Sequence, residues 1–381
     1  MKFFIISALL CINQTFAQTI YESIGSEALG TSREIKIQLP RNYDENLEKR
    51  YPLVVVFDGD YLFEVVAGNV DYYSYWEDMP EAIVVGVNQA DSRAEDYNIS
   101  LEDYMPSKTG AQFYDFIENE LITYMRKNYR ALNFRVAIGH GETANFMNYF
   151  MFNSRPIFNA YVALSPSLSY KMDENLTRRL SLESNDKTFY YLSTGTRDIK
   201  QNKKEAIALN TTISTFENTN LLYTFDNFED ATHYTLVAHS IPKALQRIFF
   251  VFQPISKSEY NDYILPLETS PVSYLNEKYD MIKTLFGIEK QILVNDFRAI
   301  AAAIERTKQY EYFQDLAKIA SKHHPDTIMA SFYLARYYEE IGKLKKAMNV
   351  YRSAYMLNEI EGYSKDDMLE RADEIKAEYG D

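Results

Sequence analysis

The chain reads as an α/β layer with a mostly parallel central sheet, followed by a small all-α unit. Three observations carry that reading. Four short runs, PLVVVFD (52–58), AIVVGV (82–87), FRVAIG (134–139) and AYVALS (160–165), are dominated by apolar, often β-branched residues, as strands covered on both faces are. Segments with helical spacing alternate with them, which is the order of a parallel α/β sheet. Beyond residue 275 the pattern is helical throughout and nearly repeats after 34 residues.

Taken in order, the N-terminal MKFFIISALLCINQTFAQ has a lysine at position 2, an apolar stretch from Phe3 to Ile12, and Thr15-Phe16-Ala17 at a cleavage-like site. It reads as a secretory signal peptide over residues 1–17, too short to span a bilayer. The expected destination is the periplasm or the cell exterior. Cys11, the single cysteine, would leave with it, so the mature chain would hold no thiol for disulfides, thiolate catalysis or Cys-based metal sites. REIKIQLP (Arg33–Pro40) alternates like a half-buried strand. The four apolar runs follow, then strands FYYLSTG (189–195) and LLYTFDN (221–227). Between them, Gly110–Tyr129 places Phe113, Phe116, Ile117, Leu121, Tyr124 and Met125 at spacings of three and four. Further helices are expected at 145–152, 203–217 and 234–252.

This first domain is expected to cover residues 19–253. Residues 254–275, with Pro254, Pro266 and Pro271, read as a linker packed on it. In 276–381, a 34-residue shift places Ala301 on Ala335, Ile304 on Tyr338, Phe313 on Ala347, Ala317 on Tyr351 and Ala320 on Ala354. Leu334, Ala335, Tyr338, Gly342, Ala347, Tyr351 and Ala354 sit where a tetratricopeptide repeat places its small and aromatic contacts. Copies at 294–327 and 328–361 and a capping helix at 365–377 are expected. Two repeats rarely stand alone, so the unit is expected to lean on the first domain and to offer a protein partner a surface.

The formal net charge is −14, and no run of like charges is long. Nucleic acid and anionic lipid are therefore poor partners, since both need clustered Lys and Arg. No segment after the leader is long and apolar enough to form a transmembrane span. His323 and His324 are adjacent and cannot share a helix face, and no H-E-x-x-H occurs, so no metal site or other cofactor is expected. The 32 tyrosines read mainly as half-buried packing residues.

Chemistry is expected where open α/β sheets keep it, at the C-terminal edges of strands. AIGHGETANF (137–146) joins a strand to a helix in the manner of a nucleophile elbow, but its apex is Gly141. Asp198 follows the strand FYYLSTG, and His233 lies in the loop before the last helix of the domain. Nucleophile position, acid and histidine thus occur in the order of the α/β-hydrolase fold.

Several stretches make the likeness specific. SEALGTSREIKIQLPRNY, YPLVVVFDGDYLF, VVGVNQADSRAEDY, GAQFYDFIENELITYMRKNYR and AYVALSPSL, within 21–252, resemble the esterase family of the α/β-hydrolase superfamily, the group of esterase D and the enterochelin-type siderophore esterases. Thr123 stands where that family usually has Pro. The family's elbow is G-H-S-x-G-G; here it is Gly139-His140-Gly141-Glu142-Thr143, with Gly141 at the nucleophile's position and Thr143 in place of a glycine. The resemblance implies Asp198 as the acid and His233 as the base. It also implies oxyanion donors from the backbone of Glu142 and of the loop Asp58, Gly59, Asp60 and Tyr61.

Glycine has no atom that can form an acyl-enzyme. A secreted pseudo-hydrolase that binds a small ester-like ligand or a protein is the leading expectation. The alternative is an active ester hydrolase that uses a water activated by His233 and Asp198, or a substitute nucleophile such as Ser165 or Ser167. In a third reading the α/β domain is only a scaffold for the helical tail.

Overall fold

The structure is a computed structural model that describes residues 19–184 and 186–379. The expected signal peptide and Cys11 lie outside the described residues. The chain divides into two compact units, one ending at Phe250 and the other beginning at Val251.

Eight strands of the first unit form one sheet: β1 (Ile20–Ser26), β2 (Thr31–Gln38), β3 (Tyr51–Val56), β4 (Ile83–Val87), β5 (Ala131–His140), β6 (Ala160–Leu164), β7 (Thr188–Arg197) and β8 (Leu221–Thr232). Their spatial order is β1-β2-β4-β3-β5-β6-β7-β8. β1 and β2 form an antiparallel hairpin, and β2 is antiparallel to β4. Every other pairing is parallel. All residues of β3, β4 and β6 are buried, which explains their uninterrupted apolar sequences. β1 was not anticipated. It is an edge strand that buries only Ile24 and Ser26, so its sequence carries little hydrophobic signal.

The connections are helical. β3 leads into α1 (Gly59–Tyr75), β4 into α2 (Arg93–Asp96), then α3 (Thr109–Asp115) and α4 (Ile122–Asn128), which a π-helical stretch, Phe116–Leu121, joins into one run. That run is the helix expected at 110–129. Phe113, Phe116, Ile117, Leu121 and Met125 are its buried stripe, and Tyr124 donates to Glu22 at 2.6 Å. β5 leads into α5 (Glu142–Phe146), β6 into α6 (Met172–Ser181), β7 into α7 (Lys200–Ile213) and β8 into α8 (Leu236–Ile248). No helix was expected at α1 or α6. In α1 the buried Leu62, Phe63, Val66, Ala67 and Val70 have helical spacing, but Gly68 and β-branched neighbours weaken the propensity signal.

The crossovers place the site. β4 lies on one side of β3 and β5 on the other, so the connections after β3 and β5 open a crevice between them at the carboxyl ends of the strands. Val56 pairs with Ile138, and Phe57 N–H donates to Ile138 at 2.9 Å. The loop at 58–61 is thereby held beside the elbow at 140–143.

The second unit is helical. α9 (Lys257–Glu259) begins with a capping box from Ser256, and α10 (Pro271–Phe286) is capped by Ser270, with Gly287 at its end. The segment read as a linker therefore has helices of its own. Glu259 accepts from Tyr274 and Lys278, both at 2.9 Å, which ties α9 to α10. α11 (Val294–Thr307), α12 (Phe313–His323), α13 (Met329–Glu340), α14 (Leu344–Ser353) and α15 (Lys365–Tyr379) follow. Each expected copy holds one pair of these helices. Ala335, Ala347, Tyr351 and Ala354 are buried together with Met368 and Ala372 of α15.

Candidate active site

Three strand ends along the carboxyl edge of the sheet carry the expected residues. β5 runs into Gly141, Asp198 directly follows β7, and His233 directly follows β8. Gly141 closes a sharp turn with φ 63° and ψ −116°. Its N–H donates to Leu164 at 2.9 Å and its carbonyl accepts from Ser167 N–H at 3.0 Å. The turn is tight enough to demand glycine at 139 as well, since a Cβ there would lie 2.6 Å from the Thr143 backbone.

His233 Nδ1 lies 3.0 Å from Asp198 Oδ1. The carboxylate is fully buried and held by more than the histidine. Ser165 Oγ reaches Oδ1 at 2.9 Å, the Ile199 N–H donates to Oδ1 at 2.7 Å, and Thr194 Oγ1 donates to Oδ2 at 2.8 Å. Burial by itself would raise the acid's pKa. Hydrogen bonds from His233, Ser165, Thr194 and the Ile199 N–H outweigh it and bring the carboxyl down to about 2. Asp198 is therefore an acceptor only, and His233 carries its proton on Nδ1. The opposite edge of the ring faces the elbow: a Cβ built on Gly141 would lie 3.8 Å from His233 Nε2 and Cε1, with no closer neighbour beyond the adjacent chain.

Ser165, weighed in the sequence as a substitute nucleophile, is placed where it cannot serve. Its Oγ lies 2.9 Å from His233 Nδ1, on the acid's side of the ring, and the residue is buried. Asn202 Nδ2 donates to its carbonyl at 3.0 Å and to its Oγ at 3.2 Å. The hydroxyl proton then has one acceptor left, Asp198. Ser165 fixes the pair from behind, with its own backbone at φ 45°. Ser167 meets the elbow through its N–H, as described above.

The elbow is stitched to the loop after β3. The His140 ring lies over His233, centroids 4.2 Å apart, with Nε2 3.0 Å from the His233 carbonyl and Nδ1 3.0 Å from Tyr61 Oη. Burial, reinforced by His233, lowers its pKa to about 4, so His140 is neutral near pH 7 and donates from Nε2. The Tyr61 proton is shared between His140 and Asp58 Oδ2, the latter at 3.2 Å. Asp58 is buried at φ 51° and also receives Arg93 Nε at 2.8 Å and Thr143 Oγ1 at 3.0 Å. Arg93 forms a second ion pair with Glu142, the residue after the apex. Thr143 Oγ1 additionally accepts from His140 N–H at 2.8 Å. The threonine that departs from the family's glycine thus joins the elbow to the loop.

Of the expected oxyanion residues, Gly59, Asp60 and Glu142 begin helices, where backbone N–H groups have no intrahelical acceptor. Tyr61 N–H donates to Asp58 at 3.2 Å, and Asp58 N–H donates to Gln89 Oε1 at 2.9 Å. The Asp60 side chain accepts from Gln89 and Ala90 N–H at 2.6 and 3.0 Å and so braces the loop. Thr194 and Asn202 around the acid, and Arg93 at the elbow, do not stand out in the sequence as site residues, and Ser165 stands out there only as a substitute nucleophile. Arg93 lies within the stretch VVGVNQADSRAEDY that resembles the family, and nothing else in the sequence marks it.

A family model described as Putative esterase matches residues 26–233, more than half of the chain. The chain belongs to this esterase family. The match ends on His233 and takes in the elbow and both members of the dyad. A crystal structure of an uncharacterised protein from Capnocytophaga ochracea is similar over 94% of this chain and 100% of that one, at 30% identity and a TM-score of 0.84. An IroE-like serine hydrolase from Shewanella oneidensis is 20% identical with a TM-score of 0.59, covering 79% of this chain and 98% of that one. A siderophore hydrolase, EstB from Aspergillus nidulans, is 15% identical with a TM-score of 0.51, covering 64% and 97%. These last two share the fold. No curated protein is matched.

His233 is oriented, Asp198 is ionised, and the apex carries no side chain. Among the described residues no helix is long and apolar enough to cross a membrane.

Proposed function

We propose that this member of the esterase family is a secreted pseudo-hydrolase. It binds a carboxylic ester-like ligand over an Asp198–His233 pair and forms no acyl-enzyme. One observation carries the reading: His233 Nε2 faces Gly141 across 3.8 Å from the Cβ position, while Ser165 lies behind the ring. Loss of the nucleophile costs on the order of 10⁶ in turnover in a serine hydrolase, and oxyanion donors and binding supply only the remainder. Glycine also relieves the elbow, since φ 63° with ψ −116° strains any other residue. Folding therefore favours the change that chemistry does not.

Siderophore-type esters are the first ligands to test, from what the name of the Aspergillus protein says of that protein. The pairs α11–α12 and α13–α14, capped by α15, fit tetratricopeptide-type contact with a protein partner. The leader directs the chain out of the cytoplasm. The purified protein should release p-nitrophenol from p-nitrophenyl esters no faster than its His233→Ala variant. Robust turnover that disappears in that variant would overturn the proposal.

A further inference from the structure

The geometry points to a second binding site, at the far end of α1: we propose that the helix terminus formed by Tyr72, Tyr75, Trp76, Glu77 and Asp78 docks an arginine- or lysine-bearing segment of a partner protein. α1 starts beside the elbow at Gly59 and runs for 17 residues, a length of about 25 Å, so its last turn is remote from the crevice. Docking there does not depend on what the dyad does.

Three large aromatic side chains are left in solvent at this end. Tyr72, Tyr75 and Trp76 are 61%, 58% and 60% exposed. Spacings of three and four put them on one face of the helix, opposite the buried Leu62, Phe63, Val66 and Val70. Rings of this size gain most from being covered, and a contiguous exposed group of them marks a contact site.

The way the helix stops is the second observation. Asp78 N–H donates to the Tyr73 carbonyl at 2.9 Å and Glu77 N–H to that of Ser74 at 3.2 Å, the two bonds of a Schellman motif. That motif turns on a left-handed residue, a place for glycine, and here it is Glu77 at φ 59°. The same terminus is the negative pole of the helix, where basic side chains are favoured. Its last turn nevertheless has no basic residue, and two carboxylates follow it. Two local rules broken at one place point to a role outside folding.

Charge selects the partner. The helix pole, the Glu77 and Asp78 carboxylates and the negative faces of the rings all attract a cation. The chain shows this mode on itself: the Arg41 guanidinium lies 4.9 Å from the Tyr75 ring centroid and donates to both oxygens of Asp71, at 2.7 and 2.6 Å. The loop that carries Arg41 is anchored here again by the Lys49–Glu81 ion pair. Between those anchors it adds three exposed carboxylates, Asp44, Glu45 and Glu48, and Arg50 follows as a cation without an ion pair among the described residues. Neither Glu77 nor Asp78 has an ion-pair partner among the described residues. Rings this exposed leave a small cation hydrated, whereas a chain segment laid across them brings its own cover. The net charge of −14 draws a basic partner in.

Trp76 is the single tryptophan of the chain, so its emission reports on this site. The test titrates the full chain with a capped peptide of alternating arginine and glycine, and with one of alternating glutamate and glycine, following that emission. Expected is a saturable change with the first peptide and none with the second. Glu77→Gly and Tyr72→Ala should each weaken binding of the basic peptide about tenfold. Glu77→Gly should at the same time melt higher than the wild type, because glycine relieves the left-handed turn. An affinity unchanged in both variants would overturn the proposal, since the overall charge would then be holding the peptide elsewhere. So would the lack of a saturable change, a Glu77→Gly protein that melts no higher, or an emission that answers to phosphatidylglycerol vesicles and not to the peptide.

Discussion

Gly141→Ser should turn this protein into a serine esterase. The Cβ it adds lies 3.8 Å from His233 Nε2, and Oγ, one bond further out, comes within the 2.6–3.2 Å range of a nucleophile–base hydrogen bond. The deletion effect in a serine hydrolase bounds the gain at about 10⁶. Recovery of about 10³, or ~4 kcal/mol of transition-state stabilisation, would already show that acid, base and apex are aligned. The change has a structural cost. At φ 63° and ψ −116°, serine is strained by about 1–3 kcal/mol, which lowers the melting temperature by roughly 2–4 °C per kcal/mol in a domain of this size. The assay is p-nitrophenyl ester hydrolysis by variant and wild type, with melting curves beside it. A folded Gly141→Ser protein with no more turnover than the wild type would refute the alignment. One more stable than the wild type would refute the strain.

Three further outcomes follow from the same geometry. Ser165→Ala removes one donor to Asp198 and should cost about 1–2 kcal/mol of stability; combined with Gly141→Ser it should lower kcat while KM holds, because the ring loses its fixed orientation. Acid should destabilise the first unit between pH 6.5 and 4. Unfolded His140 takes a proton with ordinary affinity whereas the folded residue takes one only near 4, so about 3 kcal/mol is lost across that window, and His140→Asn should flatten the unfolding profile there; Asp198, depressed to about 2, adds a further loss between about pH 4 and 2. Thr143→Gly restores the family's residue but releases Asp58 and His140, and should lower stability by about 1–3 kcal/mol in chemical denaturation.

The sheet was legible where burial was complete. β3, β4 and β6 announce themselves because both faces are covered, while β1 at the edge and α1, with its glycine and β-branched residues, carry mixed signals. Strand order cannot be read from any segment, yet it brings the loop at 58–61 against the elbow and sets β6 between β5 and β7. Gly141, Asp198 and His233 could be found because each follows a strand. Ser165 is a different case: its type and place were evident, but only its distance to both His233 and Asp198 reveals that it stands behind the base. Arg93 and Thr143 act through Asp58, a contact that spans 35 and 85 residues of chain and leaves no local trace.

The central claim is that a complete acid–base pair faces an apex without a nucleophile. Intact-mass measurement after incubation with a fluorophosphonate tests it most directly, on the wild type and on Gly141→Ser side by side. The structure predicts no adduct on the wild type and one adduct on the variant, mapping to residue 141. A stoichiometric adduct on the wild type, at Ser165, Ser167 or any other residue, would contradict it.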